Sequence, residues 1–289
     1  MTGTGFAASL PDGESLRYTV HGAGEVPILV HNGLVSSVGH WRFLVRHFAD
    51  RRAVITWDYR GHGGAAAPRD LATCCIDRFA DDGHAVLHAA GMAPALVTGL
   101  SFGVQVALEH YRRHPGDVRA LILICGTYGH PLDRLSTSAV VRKAMAEAAR
   151  AFGRSGRLGQ ALLAPSARTP LGRELAYLTG GAHRALCPRE VLDDLFAHVA
   201  GMDPRVIGAV VASYFEHTAE DLLPRIAVPT LIIAGDKDQL TPLSIAEKMH
   251  QQIRGSRLVV FPGHSHLVQV EKPREVHAAI DAFLAELPG

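Results

Sequence analysis

Residues 96–108 have the sequence LVTGLSFGVQVAL, in which a short apolar run passes into a helical pattern through Ser101. The apolar run is typical of a buried strand, and the spacing of apolar residues over 104–113 predicts a helix. On so tight a strand-to-helix turn, we expect strained geometry at the serine, and a Cβ at Gly99 or Gly103 should collide with backbone. The stretch predicts a nucleophilic serine near the positive end of the helix. The alternative is a serine that caps an ordinary helix.

A nucleophilic serine needs a general base, and the base needs an acid that orients it. Residues 229–235 form a strand pattern that runs into the turn DKDQLTP, and residues 257–261 form another that runs into PGHSH. Asp238 and His266 therefore each follow the carboxyl end of a strand, where parallel sheets place their chemistry. Each turn also contains a second candidate of the same residue type. The residues alone leave that choice open.

With these motifs in this order, nearly the whole chain resembles the α/β-hydrolase family. In that family the nucleophile, the acid and the histidine follow one another in this order along the chain. The matching segments are residues 28–34, 57–63, the turn around Ser101, residues 235–242 and residues 262–273.

The resemblance selects one residue from each pair of candidates. The family places its acid three residues after the glycine that closes the strand, which implies Asp238 and not Asp236. It places four residues between the histidine and a Glu-Lys-Pro segment, which implies His266 and not His264. The resemblance therefore implies a catalytic triad of Ser101, Asp238 and His266.

The same resemblance implies an oxyanion hole made by two backbone N–H groups, those of Leu34 and Phe102. Asn32-Gly33-Leu34 stands where the family usually has His-Gly-X, so the hydrogen bonds that shape this loop differ from the usual ones. Asp58 and Arg60 are predicted to be structural turn residues.

Strand and helix patterns alternate along most of the chain, which predicts an α/β fold with a mostly parallel central sheet and helices on both faces. Between about residues 130 and 223 the alternation stops, and only amphipathic helical patterns follow. We therefore expect an α/β-hydrolase core over residues 1–129 and 224–289 and an inserted helical lid over 130–223 that covers the serine. Its apolar content suggests a largely hydrophobic substrate.

The composition argues against nucleic acid and acidic membranes as binding partners. The chain has 289 residues, 47% of them hydrophobic, and a net charge of +1, which gives no electrostatic footprint for nucleic acid or an acidic membrane. The sequence contains neither a signal-peptide pattern nor an 18-residue apolar run, so we expect a cytoplasmic protein with no membrane segment. The oligomeric state is left open.

Cysteine and histidine spacing gives no metal pattern. The four cysteines lack metal-type spacing, and the 17 histidines are scattered. We expect His84 and His88 to lie on one face of a surface helix, and His110 and His114 to lie near the end of the helix after Ser101. No metal and no cofactor are predicted.

The function predicted is cofactor-independent hydrolysis. The substrate would be a carboxylic ester, lactone or thioester of a small, largely apolar molecule, cleaved through an acyl-enzyme on Ser101. A serine in place of an aspartate argues against dehalogenase and epoxide hydrolase chemistry. Two alternatives remain: a carbon-carbon bond hydrolase or an acyltransferase or cyclase with the same triad, and a ligand receptor without turnover.

Overall fold

The computed structural model describes residues 3–24, 26–129, 131 and 139–287. Its centre is an eight-stranded sheet with strand order β1-β2-β4-β3-β5-β6-β7-β8. The first three strands in that order pair antiparallel, and all the others pair parallel. The strands are β1 Thr4–Ser9, β2 Ser15–His21, β3 Ile28–His31, β4 Val54–Trp57, β5 Ala95–Leu100, β6 Val118–Ile124, β7 Thr230–Gly235 and β8 Arg257–Phe261.

Eleven α-helices connect or cover these strands within the described residues. They are α1 Arg42–Phe48, α2 Ile76–Ala89, α3 Phe102–Arg113, α4 Ala139–Arg154, α5 Arg157–Arg168, α6 Leu171–Leu178, α7 Arg189–Gly201, α8 Pro204–Glu216, α9 Leu243–Gln252, α10 Val268–Glu271 and α11 Pro273–Ala285. No single helix in these segments is long and apolar enough to cross a membrane; α7 and α8 meet the criterion only as a pair bent by 110°.

The sheet is buried between two helical layers. The residues of β3, β4, β5 and β7 are buried along their whole length, as runs of β-branched and aliphatic residues predict. Side chains of α2 and α3 pack against one face, whereas side chains of α1 and α11 pack against the other. The carboxyl ends of β5, β7 and β8 are therefore held rigidly at one edge of the sheet, where the candidate residues lie.

The helical region predicted after β6 is present. Helices α4 to α8 follow β6 and precede β7, with no strand among the described residues between them. The predicted first residue of this region, His130, lies outside the described residues. Five elements were not predicted: β1, whose residues are mostly exposed, α5, which contains Pro165, and the helices α9, α10 and α11.

Candidate active site

Ser101 occupies the turn between β5 and α3 in a strained conformation. Its φ is 56° and its ψ is −116°, a region that side-chain-bearing residues rarely adopt. The Ser101 N–H donates to the Ile124 carbonyl over 2.9 Å, which ties the turn to β6. Its hydroxyl makes no capping hydrogen bond to α3, contrary to what a simple N-cap serine would do. The side chain is left to face the cavity described below.

The two glycines beside Ser101 are required by close backbone approach, as predicted. A Cβ at Gly99 would collide with the Gly103 carbonyl, and a Cβ at Gly103 would collide with the carbonyls of His31 and Asn32. The turn around Ser101 is thus packed directly against the end of β3. This contact brings the loop after β3 beside Ser101.

Asp238 and His266 lie against each other, although 28 residues separate them. The Asp238 Oδ2 atom is 2.7 Å from His266 Nδ1, and both side chains are almost fully buried. Two backbone N–H groups, those of Leu240 and Thr241, donate to Asp238 Oδ1 over 2.8 and 2.9 Å. An ionised carboxylate only accepts, so His266 donates through Nδ1, and its Nε2 is left as a hydrogen-bond acceptor.

Thr241 contacts both residues of this pair, and the sequence analysis did not identify it. Its hydroxyl donates to Asp238 Oδ2 over 2.7 Å and lies 3.2 Å from His266 Nδ1. The signal was its position three residues after Asp238, where a short side chain can fold back onto the carboxylate. Thr241 fixes the orientation of the carboxylate.

The competing acid and histidine have other partners. Asp236 accepts from the Gly263 N–H over 2.6 Å and so closes the loop after β8. His264 Nδ1 is 2.8 Å from the Pro262 carbonyl within its own loop. The structure therefore brings Asp238 and His266 together. The side chains of Asp236 and His264 instead form hydrogen bonds to the backbone of the loop after β8.

Glu271 holds the loop that carries His266. It accepts from the Ser265 N–H over 3.0 Å, from the Ser265 hydroxyl and, over 2.7 Å, from the His183 N–H of the helical region. The His266 N–H also donates to the Gly180 carbonyl over 3.2 Å. The Glu-Lys-Pro segment used to select His266 thus has a structural reason: its carboxylate links the histidine loop to the helical region.

Asn32 shapes the loop that carries Leu34. Its side-chain amide donates to the Trp57 carbonyl over 2.8 Å and accepts from the Trp41 indole over 2.9 Å. Its own carbonyl accepts from the Tyr59 hydroxyl over 3.0 Å. A buried amide whose nitrogen and oxygen are both hydrogen-bonded therefore replaces the family's usual histidine, and Gly33 and Leu34 line the cavity beside Ser101.

Asp58 and Arg60 have structural partners. Asp58 accepts from the backbone N–H groups of Val38 and Gly64, each over 3.1 Å. Arg60 is buried and forms two 2.7 Å hydrogen bonds with Asp82. Neither residue is among those that line the cavity over Ser101.

A cavity of about 450 Å³ opens above Ser101 and His266. Its floor comes from the loops at the carboxyl edge of the sheet, and its walls come from α6, α7 and α8. The described residues that line it include no Asp, Glu, Lys or Arg. The wall residues from the helical region are Ala176, Thr179, Gly181, Leu192, Leu195, Phe196, Val211, Tyr214 and Phe215.

Two polar groups in the cavity wall, His40 and Tyr214, are neutral near pH 7. Burial lowers the pKa of His40 to about 4, which keeps its ring uncharged. Burial raises the pKa of Tyr214 above its ordinary range, so its phenol keeps its proton. Two groups of His, Asp and Glu in the described segments could hold a metal ion, and neither contains Ser101, Asp238 or His266.

Comparison with known proteins gives matches across nearly the full chain. Residues 26–273 match the family model described as alpha/beta hydrolase fold. A pimeloyl-[acyl-carrier protein] methyl ester esterase of Neisseria meningitidis is 30% identical over 89% of this chain and 88% of its own. The 3-oxoadipate enol-lactonase 2 of Acinetobacter baylyi is 24% identical over 93% of both chains. An esterase structure from Exiguobacterium antarcticum superposes with a TM-score of 0.80 at 21% identity, covering 98% and 100% of the two chains.

Proposed function

The chain belongs to the alpha/beta hydrolase fold family, and from that membership and the geometry at Ser101 we propose that it is a serine hydrolase of carboxylic esters, lactones or thioesters. The observation that carries the proposal is the joint placement of Ser101 and the Asp238–His266 pair at one apolar cavity. Relatives named as an ester esterase and an enol-lactonase support this class of reaction.

The proposed reaction begins with a carbonyl group placed over Ser101. His266 Nε2 accepts the hydroxyl proton while Ser101 Oγ forms a bond to the carbonyl carbon, and Asp238 stabilises the imidazolium that forms. The imidazolium then gives its proton to the leaving alcohol or thiol as that bond breaks. Water next attacks the acyl-enzyme by the same route, with His266 again as the base, and releases the acid.

The negative charge on the carbonyl oxygen needs donors at the tetrahedral stage. The backbone N–H groups of Leu34 and Phe102 are the proposed donors. Phe102 is the first residue of α3, so the positive end of the helix dipole adds to its effect. Asn32 supports the first donor by holding the loop through three hydrogen bonds.

The cavity supports a small, largely apolar substrate. Its volume is in the range of small-molecule sites, and aliphatic and aromatic side chains dominate its walls. A polar acid or a diketone would be favoured by Arg or Asn side chains in the wall, and the described lining contains neither. This composition favours ester or lactone hydrolysis over carbon-carbon bond cleavage.

The test is turnover by purified protein on p-nitrophenyl esters of increasing acyl length and on a panel of lactones. We expect turnover that saturates and is lost in Ser101→Ala. Added alcohol or amine acceptors should leave the acid as the main product; an ester or amide as the main product would instead make the protein an acyltransferase. Stoichiometric binding of these ligands without turnover would support the receptor and contradict the proposal.

A further inference from the structure

A cluster of histidines surrounds one carboxylate at the sheet edge opposite Ser101. Asp117 Oδ2 is 2.6 Å from His84 Nδ1 and 3.2 Å from His110 Nε2, and Asp117 Oδ1 is 2.8 Å from His88 Nε2. Asp117 directly precedes β6, whereas Ser101 directly follows β5. The two strands are parallel neighbours, so about six residues of strand, or about 20 Å, separate the cluster from the proposed reaction.

The helix spacing brings these groups together. His84 and His88 are four residues apart on α2 and therefore project from one face of it. Asp117 ends the short turn that joins α3 to β6, beneath that face. The ligand atoms of the three residues all lie within 4.8 Å of one another. The sequence predicted the two histidines on one helix face, but the carboxylate that meets them is 29 residues or more away along the chain.

The rings are braced from outside. His114 stacks on His84, with ring centroids 4.0 Å apart and the planes within 9° of parallel. His114 is itself held by Asp81 through a 2.8 Å contact at Nε2. His110, which is fully buried, also contacts His31 Nε2 over 3.2 Å. Such outer partners are what orients ligands at metal sites in proteins.

Ordinary hydrogen bonding explains part of this arrangement. Hydrogen bonds from His110, His84 and His88 outweigh burial, which would raise the pKa of Asp117, and hold that pKa well below its ordinary range. One histidine–carboxylate hydrogen bond would be enough to hold α2 against the turn before β6. Here two partly exposed imidazoles share one buried carboxylate, with solvent access over His84 and His88. That combination leaves room for a water ligand beside two nitrogens and an oxygen.

We propose that His84 Nδ1, His88 Nε2 and the Asp117 carboxylate bind one divalent transition-metal ion of the Zn²⁺ type, with water in the remaining position. Two imidazoles and a carboxylate suit Zn²⁺, Co²⁺, Ni²⁺ or Cu²⁺ better than Mg²⁺ or Ca²⁺, which prefer oxygen ligands. On binding, each ring nitrogen that faces Asp117 gives up its hydrogen. The second nitrogen of the same ring gains one from solvent, so both imidazoles stay neutral. Because the ion binds only the folded chain, it stabilises the fold. Because it lies about 20 Å from Ser101, it takes no part in the proposed hydrolysis.

The test is metal binding by the full chain, stripped with a chelator and titrated with Zn²⁺ by calorimetry and with Co²⁺ by visible absorption. We expect one ion per chain, a rise in Tm with Zn²⁺ that the chelator reverses, and Co²⁺ bands of nitrogen and oxygen ligation. His88→Ala removes a half-exposed side chain, so the variant should fold and should lose affinity by roughly tenfold or more. His84→Ala should do the same.

Two controls separate this site from other histidines. His250→Ala, which removes an exposed helical histidine elsewhere, should bind Zn²⁺ as the wild type does. His217→Ala should also keep the affinity, although His217 belongs to the second candidate group with Asp77 and Glu109. Unchanged affinity in both His84→Ala and His88→Ala, loss in His217→Ala instead, or no saturable binding by the wild type would each overturn the proposal.

Discussion

The sheet and the helical region after β6 differ in how completely their residues are enclosed. β5 and β7 are buried at every residue, whereas the cavity-lining helices α6 and α7 bury only Gly172 and only Val191 and Leu192, respectively. The proposed reacting groups come from the first region, on turns that directly follow strands. About half of the residues that line the cavity come from the second. Rigid strands thus position the chemistry, and less enclosed helices shape the space around it.

The side chains of α8 pack into the apolar core beside the sheet, and specific hydrogen bonds join the two regions at the histidine loop. The Gly180 carbonyl accepts from His266, and the His183 N–H donates to Glu271, so the helical region is attached to the histidine loop itself. Two histidines also meet at this boundary: the buried His62 of the core is 6.2 Å from the partly buried His198 of α7, ring to ring. We expect substitutions in the sheet region to change turnover, substitutions at the boundary to change the pH dependence of stability, and substitutions in the helical region to change substrate preference.

The largest effect on turnover is expected for a substitution in the proposed triad, whose residues lie on turns that directly follow strands. Asp238→Asn should lower ester turnover by about 10⁴, because the asparagine amide would face His266 Nδ1 and favour the wrong imidazole tautomer. Steady-state kinetics measure this. Asp236→Asn is the matched control, two residues away and bonded to the Gly263 N–H of the loop after β8 but not to His266, and it should leave turnover within a few-fold of wild type. The reverse ranking of the two variants would reassign the acid.

A smaller effect is expected at the boundary between the regions, as a dependence of stability on pH. Burial lowers the pKa of His62 to about 4, so between about pH 6.5 and 4 the unfolded chain binds a proton there that the folded chain does not. The free energy of unfolding should therefore fall as the pH falls through this range. At pH 5 this one histidine accounts for about 2 kcal/mol of that loss.

Urea unfolding of wild type and His62→Gln at pH 7 and pH 5 measures the contribution. The difference in unfolding free energy between the two pH values should shrink by about 2 kcal/mol in the variant, whatever its stability at pH 7. His250→Gln, at an exposed histidine, should leave the difference unchanged. An equal pH difference in wild type and His62→Gln would show that His62 is not held neutral by burial.

The smallest effect is expected in the cavity wall. Phe196→Ala on α7 should enlarge the cavity and change the ratio of kcat/KM between long and short acyl esters by roughly tenfold in favour of the longer chain. Leu158→Ala, at an exposed leucine of α5 outside the cavity, should leave that ratio alone. Chain-length profiles that are the same for all three proteins would mean that the core loops set specificity.

Much of the core was predictable because its signals are local. The strand-to-helix turn at Ser101 and the need for glycine at 99 and 103 follow from adjacent residues, and the predicted bounds of β8 match the observed ones. The predicted α/β-hydrolase fold is confirmed by the sheet order and by the family match.

What was missed depends on contacts between residues far apart in the chain, or on weak patterns. β1 has one buried residue in six and so lacks a strand's apolar alternation. Glu271 was used only as a sequence marker, because its bonds to Ser265 and to His183 of the helical region appear only in the folded chain. The meeting of His84 and His88 with Asp117 likewise depends on how α2 packs beside α3 and the turn that follows α3.

Labelling by a serine-directed fluorophosphonate tests the central claim most directly, because it reports the reactivity of one hydroxyl without knowledge of the substrate. The account predicts a single adduct on Ser101, found by mass spectrometry of the digested protein, at a rate unchanged in Leu158→Ala. Labelling should be nearly absent in His266→Ala, which lacks the proposed base. An adduct on another serine, or equal labelling of wild type and His266→Ala, would contradict the assignment of Ser101 as a nucleophile activated by His266.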